Sequence, residues 1–330
     1  MPEVRQQDIA DKLGLSVSTI SLALRNSPQV SAENRALIIE TALQMGYART
    51  QSEQRIEVKR LTYISPIAAM DAFYGKVLIG AEAACRQRKI ALHYSHLEEP
   101  DSWVLDYYRE ADGLLLVGSV APKIVLQLKA LGRPMVLVDN NLPQAGLDRV
   151  VTENYDGVYN TITRLYQWGH RKIMFIRGPD GHPSFEERRR GYQDAMKNLK
   201  LEIQEIFCQS LEGHLVDCLL TDLFNSHHAR PEITALVAYN DGAAIEAHHT
   251  LLNLGIRLPE DIALVGFDDL EAGRVLQPGL TTCHVEREML GKMGVERLLE
   301  RINNPTWPTV SLMLDTSFIV RQSAVPPEAK

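Results

Sequence analysis

Polar residues able to recognise a ligand stand at the ends of apolar runs. Asp139 follows Val136–Val138, Asn240 and Asp241 follow Val237–Tyr239, Asp268 and Asp269 close the run that begins at Val265, and Arg188 opens a helix predicted after Lys172–Ile176. Carboxylate, amide and guanidinium groups offer fixed pairs of acceptors or donors, the pattern that vicinal hydroxyls match. A polar residue at a strand end also serves as a helix cap, so each has a structural reading beside the chemical one. Catalysis has no comparable set: the chain contains no G-x-x-x-x-G-K-[ST], G-x-G-x-x-G, G-x-S-x-G or H-E-x-x-H pattern, so neither an enzyme nor a cofactor is expected. No metal is expected either. His227-His228 and His248-His249 are neighbours on predicted helices and diverge by about 100°, His93 and His96 lie on opposite faces of a predicted strand, and Cys85, Cys208, Cys218 and Cys283 form no C-x-x-C pair.

The elements that must position these residues follow from the apolar pattern. Seven short runs, Leu61–Ile64, Ile90–Tyr94, Leu114–Val117, Met135–Val138, Lys172–Ile176, Ala235–Ala238 and Ile262–Val265, alternate with helical stretches, while Asn140–Arg149 reads as non-strand. Near-continuous apolar strands separated by helices predict parallel sheets covered on both faces. Seven strands divide better between two α/β lobes than crowd into one sheet. Ligands of such sheets sit off the carboxyl ends of the strands, which puts the site in the cleft.

Before Leu61 the rhythm is purely helical. Asp8–Leu13, Ser18–Arg25 and Ala32–Met45 predict three short helices, the first stopped by Gly14, the second capped by Ser16, the third capped by Ser31 and stopped by Gly46. Ile9 with Leu13 and Ile20 with Leu24 face inward, as do Leu37, Ile38, Thr41, Ala42 and Met45. Two helices joined through a glycine turn and braced by a third form a helix-turn-helix unit. Its second helix presents Val17 and Ser18, with Leu22 one turn on, to base edges, and the hydroxyls of Ser16, Thr19, Ser21 and Ser31 suit phosphates. Arg25 reaches a phosphate or a guanine. A polar linker, Gln51-Ser52-Glu53-Gln54-Arg55, leads out of the head.

The chain has 330 residues, 45% apolar, with a net charge of −7. Its first 60 residues carry eight Lys/Arg and seven Asp/Glu, so the other 270 hold a net −8. An acidic body repels phosphate and confines any nucleic-acid contact to the head. No window approaches the roughly 18 apolar residues of a membrane span, and the N-terminus lacks the basic-then-apolar pattern of a signal peptide. A cytoplasmic protein, nucleoid-associated when bound to DNA, is expected.

Asp8-Ile9-Ala10, Gly14-Leu15-Ser16-Val17-Ser18-Thr19-Ile20-Ser21, Val30-Ser31 and Gly46-Tyr47 resemble the DNA-binding head of the lactose/galactose repressor (LacI/GalR) family. The resemblance extends through Asp71-Ala72-Phe73-Tyr74, Gly169-His170-Arg171-Lys172-Ile173, Arg188-Arg189-Arg190-Gly191, Asn240-Asp241, Leu258-Pro259-Glu260-Asp261-Ile262, Val265-Gly266-Phe267-Asp268-Asp269 and Leu280-Thr281-Thr282, in the family's order. It implies an all-α helix-turn-helix head followed by a two-lobed periplasmic-binding-protein-like core with parallel sheets. The implied head is residues 1–47, the hinge or linker 48–60 and the core 61–330. Within the core, lobe 1 takes about 61–155 with 287–315, and lobe 2 about 156–286 with 316–330. It further implies a homodimer on a two-fold double-stranded DNA operator, a sugar-like effector in the cleft, and contacts to that effector from Phe73, Tyr74, Asp139, Arg188, Asn240 and Asp268. Asp241 and Asp269 are then left as structural residues and Phe73 as either a contact or core. Tyr47 joins the DNA-contacting set.

Four departures from the family pattern matter. Leu22 replaces an arginine common in the family, so apolar contact with a thymine methyl replaces a guanine contact. In the linker Ile56 takes the place of the leucine that wedges into the minor groove, while Glu53 brings a carboxylate toward phosphates. Ala68 stands where an aspartate is expected. Arg287, after Leu280-Thr281-Thr282, either enters the cleft beside Arg188 or pairs with Glu286 or Glu288 at the surface. In the first case two arginines favour a sugar acid or a phosphorylated sugar.

Overall fold

A computed structural model of the chain describes residues 4–24, 30–45, 47, 57–97, 102–209, 215–225 and 232–325. It contains two compact units, residues 1–57 and 58–330. The predicted Arg25, Gly46 and the linker with Glu53 and Ile56 lie outside the described residues.

The head unit holds α1 (Gln6–Leu13), α2 (Val17–Leu24) and α3 (Ala32–Gln44). Gly14 ends α1 with φ 64°, a left-handed conformation in which a β-carbon is costly. Ser16 Oγ accepts from Thr19 N at 3.1 Å and Ser31 Oγ from Asn34 N at 3.3 Å, so both predicted caps form. Ile9, Ala10, Ile20, Ala23, Val30, Ile38 and Ala42 are buried together. Leu37 corrects the predicted inner face, because it is 51% exposed. It sits one residue, about 100°, off the stripe of Ile38, Thr41 and Ala42.

The second unit is built on two six-stranded sheets. Its first half runs β1 (Arg60–Ser65), α4 (Tyr74–Gln87), β2 (Ala91–His96), α5 (Ser102–Arg109), β3 (Gly113–Val117), α6 (Pro122–Lys129), β4 (Met135–Val138) and β5 (Asp148–Thr152). The second half runs α7 (Asn154–Gln167), β6 (Ile173–Arg177), α8 (Pro183–Asn198), β7 (Gln204–Phe207), α9 (Leu215–Asn225), β8 (Ala235–Ala238), α10 (Asp241–Asn253), β9 (Ala263–Asp268), α11 (Glu271–Arg274) and β10 (Thr281–His284). The chain then returns through α12 (Arg287–Asn303) to β11 (Ser311–Leu314) and ends in β12 (Ser317–Ile319). One sheet has the order β11-β5-β4-β3-β1-β2 and the other β12-β10-β9-β8-β6-β7. The described pairings are parallel except β10 with β12.

All seven predicted strands are present, and β5 begins inside the segment read as non-strand. The central strands β3, β4, β8 and β9 are buried throughout, as their unbroken apolar runs require. In both sheets strand order reverses beside the first strand, β1 or β6, which is where an α/β sheet opens a crevice at its carboxyl ends. The helices α4 and α12 meet at glycines: a β-carbon on Gly80 would overlap the Glu288 carbonyl, and one on Gly291 the Val77 carbonyl. The chain passes between the sheets three times, after β5, after β10 and after β11.

Candidate functional site

In the head, the start of α2 gathers the predicted DNA-contacting residues. Ser16 Oγ lies 2.7 Å from Ser18 Oγ and 2.8 Å from Thr19 Oγ1, a hydroxyl cluster at the helix start. Val17 is 37% exposed and Ser18 is exposed. Thr19, Ser21 and Leu22 are half-buried, and Leu22 packs partly on the head core, as does Tyr47. Ser31 is exposed at the start of α3.

In the second unit, residues from both sheets converge on one arginine. Arg188 is 4% exposed. Its Nε donates to Asn154 Oδ1 at 2.9 Å, one terminal nitrogen to the Tyr239 carbonyl at 2.6 Å and the other to Asp268 Oδ1 at 3.2 Å. The guanidinium stacks over the Phe267 ring at 3.8 Å. From the other sheet, the Tyr74 hydroxyl donates to Asp139 Oδ2 at 2.8 Å, and Phe73 meets Tyr74 edge-on at 4.9 Å. Asn141 donates to Glu187 across the cleft, and Glu187 also accepts from Asn154 at 3.1 Å.

This crowding of carboxyls sets the electrostatics. Burial pushes Asp268 up to about 8; the Arg188 charge pulls it down, but Asp241 and Asp139 push it up again. Burial likewise raises Asp139 to about 6 against the pull of the Tyr74 hydroxyl and Arg188. The Tyr74 phenol is held well above its ordinary range, by burial first and then by Asp139. Asp269 goes the other way, to about 2: it is desolvated too, but Arg274, Arg321 and His284 all donate to it. Asp139, Asp268 and Asp269 have positive φ, so each bends the chain where its strand ends.

Several sequence readings need correction. Arg188 does not open its helix: α8 begins at Pro183, where the fixed φ of proline suits the first turn. Asn240, read as a ligand group, is itself the cap of α10, its Oδ1 accepting from Ala243 N at 2.9 Å. What it can offer a ligand is its amide N–H pair. Asp241 is structural, as expected, but as an acceptor for Thr282 Oγ1 and Leu270 N, both at 2.7 Å. Arg287 does not lie at the surface. It is 5% exposed, and its terminal nitrogens donate to the carbonyls of Ala72 and Asp269, each at 3.0 Å.

Sequence reasoning missed Asn154, Glu187, Asn141, Phe185 and Tyr239. Glu187 adjoins Arg188, and Phe185 precedes it by most of a turn and packs on Tyr239 at 4.7 Å, so the helix face of Arg188 held that signal. Asn154 stays hidden until β5 is recognised as a strand. Close to Asp139 and Asn154 in sequence, buried Asn140 Nδ2, Asn141 Oδ1 and Thr152 Oγ1 have no hydrogen-bond partner.

Comparison with known proteins fits this architecture. Residues 6–50 match the family described as bacterial regulatory proteins, lacI family, and residues 162–324 match the periplasmic binding protein-like domain. The chain thus joins a lacI-family head to a periplasmic binding protein-like domain. The chain is 27% identical over 335 residues to the ribose operon repressor of Haemophilus influenzae, covering 96% of itself and 97% of that protein. It is 27% identical over 308 residues to the transcriptional repressor PurR of Haemophilus influenzae strain PittEE, covering 90% of itself and 91% of PurR. In fold it is similar to a LacI-family transcriptional regulator from Enterococcus faecium solved with bound ribose. The TM-score is 0.71 at 22% identity, over 82% of this chain and all of that one. Among the described residues, no helix is long and apolar enough to cross a membrane.

Proposed function

We propose that the chain is a transcriptional repressor and not an enzyme. It binds a two-fold DNA operator as a homodimer through the α2 face of each head, and a hydroxyl-rich, sugar-like effector in the cleft sets its affinity for DNA. The observation that carries this reading is the cluster of Tyr74, Asp139, Arg188 and Asp268, drawn from both sheets and largely buried. Unpartnered polar atoms on Asn140, Asn141 and Thr152 favour a ligand that brings both donors and acceptors. The repressor and ribose descriptions of the relatives support the same class. We divide the chain into a head of residues 1–47, a connector of 48–60 and an effector-binding core of 61–330.

The charge of the site argues for a neutral effector over the anion anticipated from two arginines. Two nitrogens of Arg287 are engaged by backbone carbonyls, Asp268 is protonated at neutral pH, and Asp139 and Glu187 lie beside Arg188. A carboxylate or phosphate ligand would meet those groups at close range in a desolvated cleft. Titration calorimetry with neutral pentoses and hexoses, their sugar acids and their phosphates tests this. Neutral sugars are expected to bind and to alter protection of an operator selected from genomic DNA. Binding by the acids or phosphates alone overturns the neutral-effector reading, and failure to protect any two-fold site overturns the repressor reading. Within that assay, Tyr74→Phe removes the hydroxyl that orients Asp139 and is expected to weaken the effector by about tenfold.

A further inference from the structure

Arg287 joins two loops that belong to different lobes. One terminal nitrogen donates to the carbonyl of Ala72, directly before Phe73 and Tyr74, and the other to the carbonyl of Asp269, directly after Asp268. Each loop is stiff in its own right. Asp71 Oδ1 accepts from the backbone N–H groups of both Phe73 and Tyr74 at 2.8 Å, which fixes the first loop. The second is held where Asp269 accepts from Arg274, Arg321 and His284, and where Asp241 accepts from Leu270 N. Arg287 itself is carried by α12, which is locked to α4 through Gly80 and Gly291.

The seam around this arginine is charged on both sides. Glu271, the first residue of α11, lies 3.6 Å from Arg287 and 3.7 Å from Lys76 of α4, and Lys76 also lies 3.5 Å from Glu288. Two parallel donors on a planar guanidinium span two acceptors at a set separation, which a lysine ammonium cannot do.

We propose that Arg287 is a positioning residue that latches the two lobes. Its guanidinium fixes the spacing between the Ala72–Tyr74 loop and the Asp268–Asp269 loop, so that a displacement of either is passed to the other and to α12. The acceptors are main-chain carbonyls, so the latch acts whatever side chains the loops present. Assigning the effector to these loops rests on the function proposed above; the latch does not, and it is tested without effector or DNA.

The experiment measures an interlobe distance in the full-length protein. Spin labels are placed through Lys123→Cys and Lys200→Cys, both exposed and one in each lobe, in a background in which the exposed Cys218 is replaced by Ser. Electron-electron resonance then compares Arg287 with Arg287→Met, Arg287→Lys and Leu298→Ala, the last a cavity in the buried core on the same helix. The unsubstituted protein is expected to give one narrow distribution. Arg287→Met is expected to shift its mean by more than about 2 Å or to broaden it, Arg287→Lys to broaden it partially, and Leu298→Ala to leave it in place while lowering the melting temperature. If Arg287→Met does not fold, Arg287→Lys decides, since it keeps the charge beside Glu271 and loses only the second reach. An unchanged distribution in the folded Arg287 variants overturns the latch, and so does equal broadening in Leu298→Ala.

Discussion

Replacing Asp268 with Asn isolates the most perturbed carboxyl of the cleft. Asp268 is 6% exposed and faces Arg188, Asp241, Asp139 and Arg287, and its pKa is raised from 3.8 to about 8. A raised folded-state pKa means that the native protein holds a proton the unfolded chain has released. Its contribution to stability is therefore complete below about pH 4 and is lost as pH rises through about 8. Inside that window one extra bound proton corresponds to about 1.4 kcal/mol of stability per pH unit. Asn has the shape of the protonated acid and still presents Oδ1 to Arg188, so the variant follows the native protein closely at low pH. From about pH 5 to about pH 7 it should gain about 3 kcal/mol relative to the native chain. Asp139 and Asp241, both raised to about 6, titrate in both proteins and largely cancel in the difference. Urea unfolding at a series of pH values, followed by far-ultraviolet circular dichroism, reads the effect. A stability difference that stays constant to within about 0.5 kcal/mol across that interval refutes the assignment of a neutral, buried Asp268.

Other substitutions probe the remaining parts of the structure. Arg188→Met leaves Asn154 Oδ1, the Tyr239 carbonyl and Asp268 Oδ1 without their donor; the expected loss in urea unfolding is about 1–3 kcal/mol at neutral pH, together with effector binding. Ser16→Ala removes the acceptor for Thr19 N and should cost the head about 1 kcal/mol, seen as faster amide exchange confined to α2. Gly291→Ala places a methyl group on the Val77 carbonyl, so α4 and α12 must separate; a fall in melting temperature is expected that Gly242→Ala, where a β-carbon meets only ordinary contacts, does not reproduce.

What could be read from the sequence divides along physical lines. Strands buried on both faces announce themselves, which is why β4 and β8 carry the boundaries their apolar runs predict and β3 starts only one residue earlier. The edge strands β7, β11 and β12 do not, because none of their residues is fully buried and their patterns are short and mixed. β10 was hidden by composition: Thr281 and Thr282 are fully buried, but they bury hydroxyls that find partners at the Arg321 carbonyl and Asp241. At the site, Asp139, Arg188 and Asp268 were visible as polar residues at element ends. The exchange of roles between Asn240 and Asp241 was not, since the extended backbone of Asn240, φ −154° and ψ 173°, decides which residue caps the helix. Nor was the role of Arg287, whose acceptors are main-chain carbonyls with no sequence signature.

The late return of the chain to both sheets has a consequence for its biosynthesis. β11 completes one sheet beside β5 and β12 completes the other beside β10, and only two residues separate them. The anchors of this stretch are equally late: Val310 N donates to Asp148 Oδ1 at 2.7 Å, and Ser323 Oγ donates to the Leu264 carbonyl at 2.6 Å. On the ribosome, the helical head has every residue of its core available hundreds of residues before either sheet can close. For most of translation a nascent chain therefore carries a DNA-reading element with no finished sensor beside it. Synthesis of β11 and β12, more than the emergence of either lobe, then marks the moment at which the molecule becomes responsive.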